Sequence, residues 1–345
     1  MQVKCCFENE GFLALRSEWN SLLQRSYTDS LFLTWEWQSV WWKHWGNGEL
    51  VLLSFRRIED GSLVGIVPLF RSVSRTGELA LSLVGGREIS DYLDLIIEVG
   101  WEDAIYAALL DCLGKEVVDW DLIDLCNIPQ DSLTCVRLRA LADARDYQSL
   151  VEIEDVCPII ALPNTWEGYL MSIDKKQRHE LRRKLRRAES GADTRFVVVG
   201  SQHHLQTEMK AFIGLHQMSA PEKSKFMNSQ MQEFFLDMAC TMQEAGWLQL
   251  TFIEMDGVKA ASLLNFDYGG AVLAYNSGYD PLRFRHLSPG VVITARCIEH
   301  AIKLSRSKFD FLRGDEVYKY RFGANNTQVL RLLIAKPHTS TEAIS

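Results

Sequence analysis

Three basic residues stand close together in DPLRFRHLSPG, Asp280 to Gly290, directly ahead of the helical sequence VVITARCIEHAIKL. Arg283, Arg285 and His286 would give charge-assisted hydrogen bonds to an anion. At the helix start, Pro289 suits the first turn and Ser288 can cap it. The free amides there, with the helix dipole behind them, face any phosphate placed on Gly290. The run Arg283, Arg285, His286, Leu287, Ser288, Pro289 and Gly290 is therefore a candidate anion cradle. A well-capped helix behind a solvated basic loop would use the same residues.

A second constellation follows in FDFLRGDEVYKYRFGA, Phe309 to Ala324. A buried strand, FDFL, stops at Arg313-Gly314, and a new helix is expected from Asp315. Charged groups thus gather at the carboxyl end of a strand, where open α/β sheets place ligands. Asp315 reads as a helix cap and as a candidate carboxylate, with Lys319 four residues on along the same helix face. The structural alternative is a capping aspartate with an exposed ion pair, worth a few tenths of a kcal/mol. YNSGY, Tyr275 to Tyr279, ends the strand that feeds the basic loop and sets Tyr275 and Asn276 just ahead of it.

The elements that must carry these residues occur twice. ELVLLSFRRIEDGSLVGIVPLF (Glu49 to Phe70) and WLQLTFIEMDGVKAASLLNF (Trp247 to Phe266) are each a β-rich run, an Asp-Gly pair and a second apolar run. Asp60-Gly61 and Asp256-Gly257 predict tight hairpin turns. Helices are expected before the hairpins at Thr34 to Trp45 and Met231 to Ala245, and after them at Glu102 to Leu113 and Pro289 to Leu304. Short strands, WDLIDLC (Trp120 to Cys126) and FDFL, close each series. A period of nearly 200 residues points to duplicated domains, since solenoid repeats run ~20–50 residues; two unrelated α/β domains that share common hairpin chemistry are the alternative. We place the boundary near Ile160 to Pro163, giving domains 1–162 and 163–345, with Asn164 or Thr165 capping the next helix.

A chain of 345 residues is long for one core, and 47% hydrophobic with 24% charged residues is the balance of a folded globular protein. The first residues lack the pattern of a signal peptide, and no apolar run reaches the ~20 residues of a membrane span. The eight cysteines have no metal-ligand spacing and read as reduced thiols, so the expected compartment is the cytoplasm.

A net charge of −8 argues against general nucleic-acid binding. KKQRHELRRKLRR, Lys175 to Arg187, holds eight of the 37 basic residues and one of the 45 acidic ones, leaving −15 on the remainder. It is either a solvated helix docked by Leu181 and Leu185, or a clamp for a sugar nucleotide, a coenzyme phosphate or an anionic membrane surface. Trp37, Trp41 and Trp45 form an i, i+4, i+8 stripe that reads as core, with an aromatic sugar platform as the sharper alternative.

The Ser-Pro-Gly helix start followed by Asp-Phe-Leu-Arg-Gly-Asp-Glu-x-Tyr-Lys resembles acyltransferases of the GNAT superfamily, of the CelD or BioF2-like acetyltransferase type. These are relatives of the FemAB peptidyltransferases. The resemblance extends to WEWQSVWWKHWG, LVGIVPLF and the basic helix. It implies an α/β (α+β) chain of two tandem GNAT-like domains, each a mixed, mostly antiparallel sheet flanked by helices. It further implies direct transfer from acetyl-CoA or another acyl-CoA, without a metal, to an amino group on a sugar, sugar nucleotide or amino acid, in exopolysaccharide or cellulose synthesis.

In that scheme the thioester lies beside the fourth strand of the second copy, Ala271 to Gly278, near the amides at Asn276. The pyrophosphate rests on Arg283 to Gly290, where Ser288 replaces a glycine of the common pattern. Lys319 matches a lysine that stabilises the oxyanion in FemAB-type relatives, and it joins Asp315 and Tyr318 as the catalytic set. Base candidates are Asp315, Glu316, His286 and Asp91. Asp91, Tyr92, Tyr275 and Arg313 are the acceptor-side residues. Partners would be a small-molecule or glycan acceptor and an anionic surface touched by 175–187; the oligomeric state is not legible. Two other functions fit the same resemblance: an aminoacyl-tRNA-dependent FemAB-like transferase, and a non-catalytic scaffold of a polysaccharide synthase.

Overall fold

A computed structural model describes residues 1–8, 10–74, 77–115 and 119–337. The chain divides into two compact units, one formed by Met1–Asp155 together with the chain from Gln328 on, the other by Val156–Thr327.

The first unit runs β1 (Gln2–Cys6), α1 (Glu10–Leu23), α2 (Trp35–Trp45), β2 (Glu49–Arg56), β3 (Leu63–Val73), β4 (Leu79–Leu83), β5 (Ile96–Ile97), α3 (Glu102–Gly114), β6 (Leu122–Pro129) and α4 (Arg139–Asp143). β7 (Gln148–Ala161) leads into the second unit. There follow α5 (Trp166–Ser172), α6 (Lys175–Gly191), β8 (Thr194–Val198), α7 (Leu205–Ser219), α8 (Pro221–Phe226), α9 (Ser229–Glu244), β9 (Leu248–Met255), β10 (Val258–Tyr268), β11 (Ala271–Tyr279), α10 (Pro289–Lys303), β12 (Lys308–Asp310) and α11 (Val317–Arg321). The last strand, β13 (Asn325–Ala335), returns to the first unit.

The duplication expected from the hairpins is present in the pairing. In the first unit β1, β2, β3 and β4 are antiparallel neighbours, and β4 then pairs with β6 in parallel across the helical crossover of α3. In the second, β8, β9, β10 and β11 repeat that order, and β11 pairs with β12 in parallel across α10. The sheets are mixed and mostly antiparallel, as the resemblance implied.

Three boundaries differ from the sequence reading. Asp256 (φ 51°) and Gly257 (φ 73°) make the expected two-residue turn between Met255 and Val258. The first hairpin instead closes through a longer loop: Arg57 N donates to Ser62 O at 2.9 Å, Asp60 Oδ1 takes the Ser62 amide, and Gly61 alone of the Asp-Gly pair has positive φ. The units part at Asp155/Val156 rather than at 162/163, because Ile159–Ala161 already pair with β12. The end of the chain belongs to the first unit because Val329–Ala335 pair antiparallel with β6.

The first two tryptophans of the stripe are core, and Trp45 is half-buried. Trp37 and Trp41 are buried, as is Trp42, and the Trp37 indole donates to Ser90 Oγ at 2.8 Å. The basic helix α6 is anchored as its periodicity predicted, with Leu181, Leu185 and Ala188 buried. Each leucine contributes about 1.5–3 kcal/mol.

Candidate functional site

The second unit opens where two parallel strands part. β11 and β12 are paired only through Ala271–Leu273 and Lys308–Asp310. Beyond Asp310 the chain follows its other neighbour: Phe311 N donates to Pro158 O and Gly314 N to Val156 O, each at 3.0 Å. β11 stays on β10 as far as Tyr279, with a bulge in which Leu264 opposes Asn276 and Asn265 opposes Ala274, so Tyr275 is the extra residue. Ala274 to Ser277 therefore border a gap. It holds a cavity of ≈530 Å³ and a smaller one of ≈130 Å³, both lined by Lys223, Leu263, Ser277, Thr294, Glu316 and Tyr318.

The anion-cradle residues separate into groups. Arg285, Ser288, Pro289 and Gly290 line the larger cavity. Leu287 is buried in the core, and any Cβ at Gly191 would fall 2.7 Å from its Cδ2. The Arg283 guanidinium lies 5.3 Å over the Phe284 ring, and neither Arg283 nor the exposed His286 is among the lining residues. Pro289 occupies the first helical turn of α10, as expected.

Ser288 does not cap that helix with its side chain. Its hydroxyl instead accepts from Arg187 Nη2 at 3.0 Å, which ties α6 to the loop. Its backbone sits at φ 55°, ψ 54°, the left-handed conformation that glycine adopts freely and that costs other residues roughly 1–2 kcal/mol. The serine departs from the glycine pattern in residue type while keeping the backbone geometry. A Cβ at Gly290 would meet only Tyr279, at 3.8 Å, so the helix start stays open to a ligand.

Asp315 is not a cap, and it does not pair with Lys319. Gly314 takes φ 112°, and the helix begins only at Val317 with Glu316 at its N-cap. Asp315 accepts instead from the Tyr320 hydroxyl. Lys319 is buried, and its ammonium donates to the carbonyls of Leu312 (3.3 Å), Arg313 (2.7 Å) and Gly314 (3.0 Å), with Glu316 Oε2 at 2.8 Å. These carbonyls belong to a strained turn: Leu312 has φ 57°, an outlier for a γ-branched side chain. Of the four base candidates, Glu316 is the one that lines both cavities. Arg313 and Tyr275 line the smaller cavity with Asn276 and Lys319, and Tyr318 lines both.

Two residues that the sequence reading passed over complete the gap. Gly278 lets α7 press on β11: a Cβ there would lie 2.3 Å from His216 N. The buried His216 consequently reaches Asn276, Nε2 to Oδ1 at 3.0 Å. Burial, with the charge of Lys223 adding to it, lowers the imidazole to about 4, so the ring is neutral at physiological pH. With Oδ1 occupied, Asn276 has its NH₂ to offer the cavity. Lys223 Nζ donates to Ser277 O at 2.6 Å and to Ser277 Oγ at 3.2 Å. Burial lowers its pKa and the Glu316 carboxylate opposes that shift. Two of its three N–H groups are thus engaged.

Asp91 and Tyr92 belong to the first unit, where Asp91 is buried. Asp94, three residues on, is structural: it accepts from Thr28, Ser132 and Thr134 hydroxyls, each at 2.6 Å. Among the described residues no cluster could hold a metal ion, and no helix is long and apolar enough to cross a membrane.

Residues 175–320 match the acetyltransferase (GNAT) domain family. No curated protein matches the chain. Among solved structures, FemX aligns with TM-score 0.67 and 11% identity, covering 96% of this chain and 97% of its own. A conserved protein of unknown function from Bacteroides thetaiotaomicron VPI-5482 gives 0.63 and 12%, covering 97% and 100%. L-PGS from Bacillus licheniformis gives 0.56 and 10%, covering 95% and 93%.

Proposed function

From the premise that this chain carries a GNAT acyltransferase domain and is built on that fold, we propose that it transfers an acyl group from acyl-CoA to an amine. The acceptor is an amino sugar, a sugar nucleotide or an amino acid. The observation that carries the reading is the parting of β11 from β12, which opens a cavity running from the start of α10 to Lys223 and Glu316. The coenzyme pyrophosphate rests on Arg285 and the Gly290 amide, and its acyl arm lies along Ala274 to Ser277.

The amine nitrogen attacks the thioester carbon, forming the C–N bond and moving the C=O pair onto oxygen. The Asn276 NH₂ and the remaining Lys223 N–H are directed at that oxyanion. Collapse breaks the C–S bond and releases the thiolate. Glu316 takes the proton the nitrogen sheds, and the thiolate regains a proton from solvent. Lys319 holds the turn that presents Glu316 and Tyr318; it is a positioning residue.

Calorimetry with acetyl-CoA tests the donor: micromolar binding, weakened about tenfold in Arg285→Ala, is expected, and no binding ends the reading. The resemblance to FemAB proteins and the likeness to FemX along 96% of the chain favour aminoacyl-tRNA as the second possible donor. Its binding would fall steeply with salt, whereas that of acetyl-CoA would change little by comparison.

A further inference from the structure

A third cleft, ≈480 Å³, lies between α6 and α11 in the second unit. Its walls bear Lys176, Arg183 and Lys184 from α6 and Arg321 from α11, against one carboxylate, Glu180. Glu180 is already held by Arg183 at 2.7 Å and Lys184 at 3.6 Å. Leu181, Val291, Phe322 and Tyr318 supply apolar surface. The volume is that of a small-molecule site.

Two features set this cleft apart from an ordinary charged surface. Lys176 stands in the first turn of α6, where the helix dipole disfavours cations, so the fold gains nothing from its charge there. The cleft also shares Val291, Tyr318 and Phe322 with the larger cavity, so a ligand seated in it reaches the transfer point past Tyr318. A recessed cleft on a chain whose residues outside Lys175–Arg187 carry −15 suits a small anion better than an anionic membrane, which would repel the acidic body.

We propose that the α6–α11 cleft binds the phosphate of the acceptor, making the substrate a phosphorylated amine. The inference rests on the acyl-transfer reading and adds the acceptor's chemical class to it. The test is calorimetric titration of inorganic pyrophosphate into the full chain, free and saturated with acetyl-CoA. Binding should persist beside acetyl-CoA and weaken at least tenfold in Lys176→Ala/Arg321→Ala. Lys175→Ala/Arg186→Ala, on the same helix but outside the cleft, should stay within twofold, with the melting temperature of both variants unchanged.

Glucosamine 6-phosphate should bind the coenzyme-loaded protein at least tenfold tighter than glucosamine; equal binding overturns the proposal. Displacement of pyrophosphate by acetyl-CoA assigns the site to the coenzyme and overturns it as well. Equal loss in the two double variants reduces the effect to general field and does the same. If acetyl-CoA fails to bind while pyrophosphate still separates the variants, the donor reading fails and the cleft stands.

Discussion

The Lys319 ammonium lies 2.7 Å from the Arg313 carbonyl and spends its remaining donors on the carbonyls at either side. A lysine so engaged has no N–H left for a reacting oxygen. It compensates a turn in which Leu312 is held at φ 57°.

Lys319→Met should therefore lower stability by about 2 kcal/mol, because the buried Leu312 carbonyl and the part-buried carbonyls of Arg313 and Gly314 lose a charged donor. Urea denaturation measures this. A stable, inactive Lys319→Met would instead return the lysine to the oxyanion.

Lys223→Met should keep its melting temperature and its KM for the coenzyme while losing about 10²–10³ in kcat. Burial lowers the Lys223 pKa, so its charge is present at low pH and is lost as pH rises through that lowered value. The alkaline limb of kcat should then fall below the ordinary lysine range near ~10.4, and Lys223→Arg should move it upward. A limb that stays put in Lys223→Arg excludes Lys223 from the step.

His216 ties stability to acid. Its folded value, about 4, lies below the unfolded value of roughly 6.5, so the unfolded chain takes up the proton first. Stability should decline as pH falls from about 6.5 to about 4, by on the order of 3 kcal/mol across the window. Urea midpoints at several pH values should show this component in the native chain and not in His216→Leu.

The two loop arginines should behave differently. Arg285→Ala, in the cavity wall, should raise the acetyl-CoA dissociation constant about tenfold, roughly 1.4 kcal/mol. Arg283→Ala, stacked on Phe284, should change it less than twofold. Calorimetry that finds the two equal would move the pyrophosphate elsewhere.

Much of the frame was legible because it rests on local chemistry. Asp256-Gly257 announces its own turn, and Ser288-Pro289-Gly290 announces the start of α10. The pairing of Asp315 with Lys319 was misread because i, i+4 spacing assumes an unbroken helix, and the positive φ of Gly314 delays the helix to Val317. Lys223 and His216 gave no motif at all. They reach Ser277 and Asn276 from 54 and 60 residues upstream, through α7 and the six-residue α8. One residue could have hinted at them: Gly278 interrupts an otherwise side-chain-rich strand, and a glycine there marks close approach of another backbone.

The return of β13 to β6 has a consequence for biogenesis. On the ribosome, β6 emerges some 200 residues before its partner, with one edge unsatisfied. The second unit is contiguous in sequence and can close as soon as Thr327 is clear, whereas the first waits for the final strand. The earlier-synthesised half is the later to mature, and a nascent chain stalled before Gln328 would expose the β6 edge to a chaperone or to a neighbouring copy.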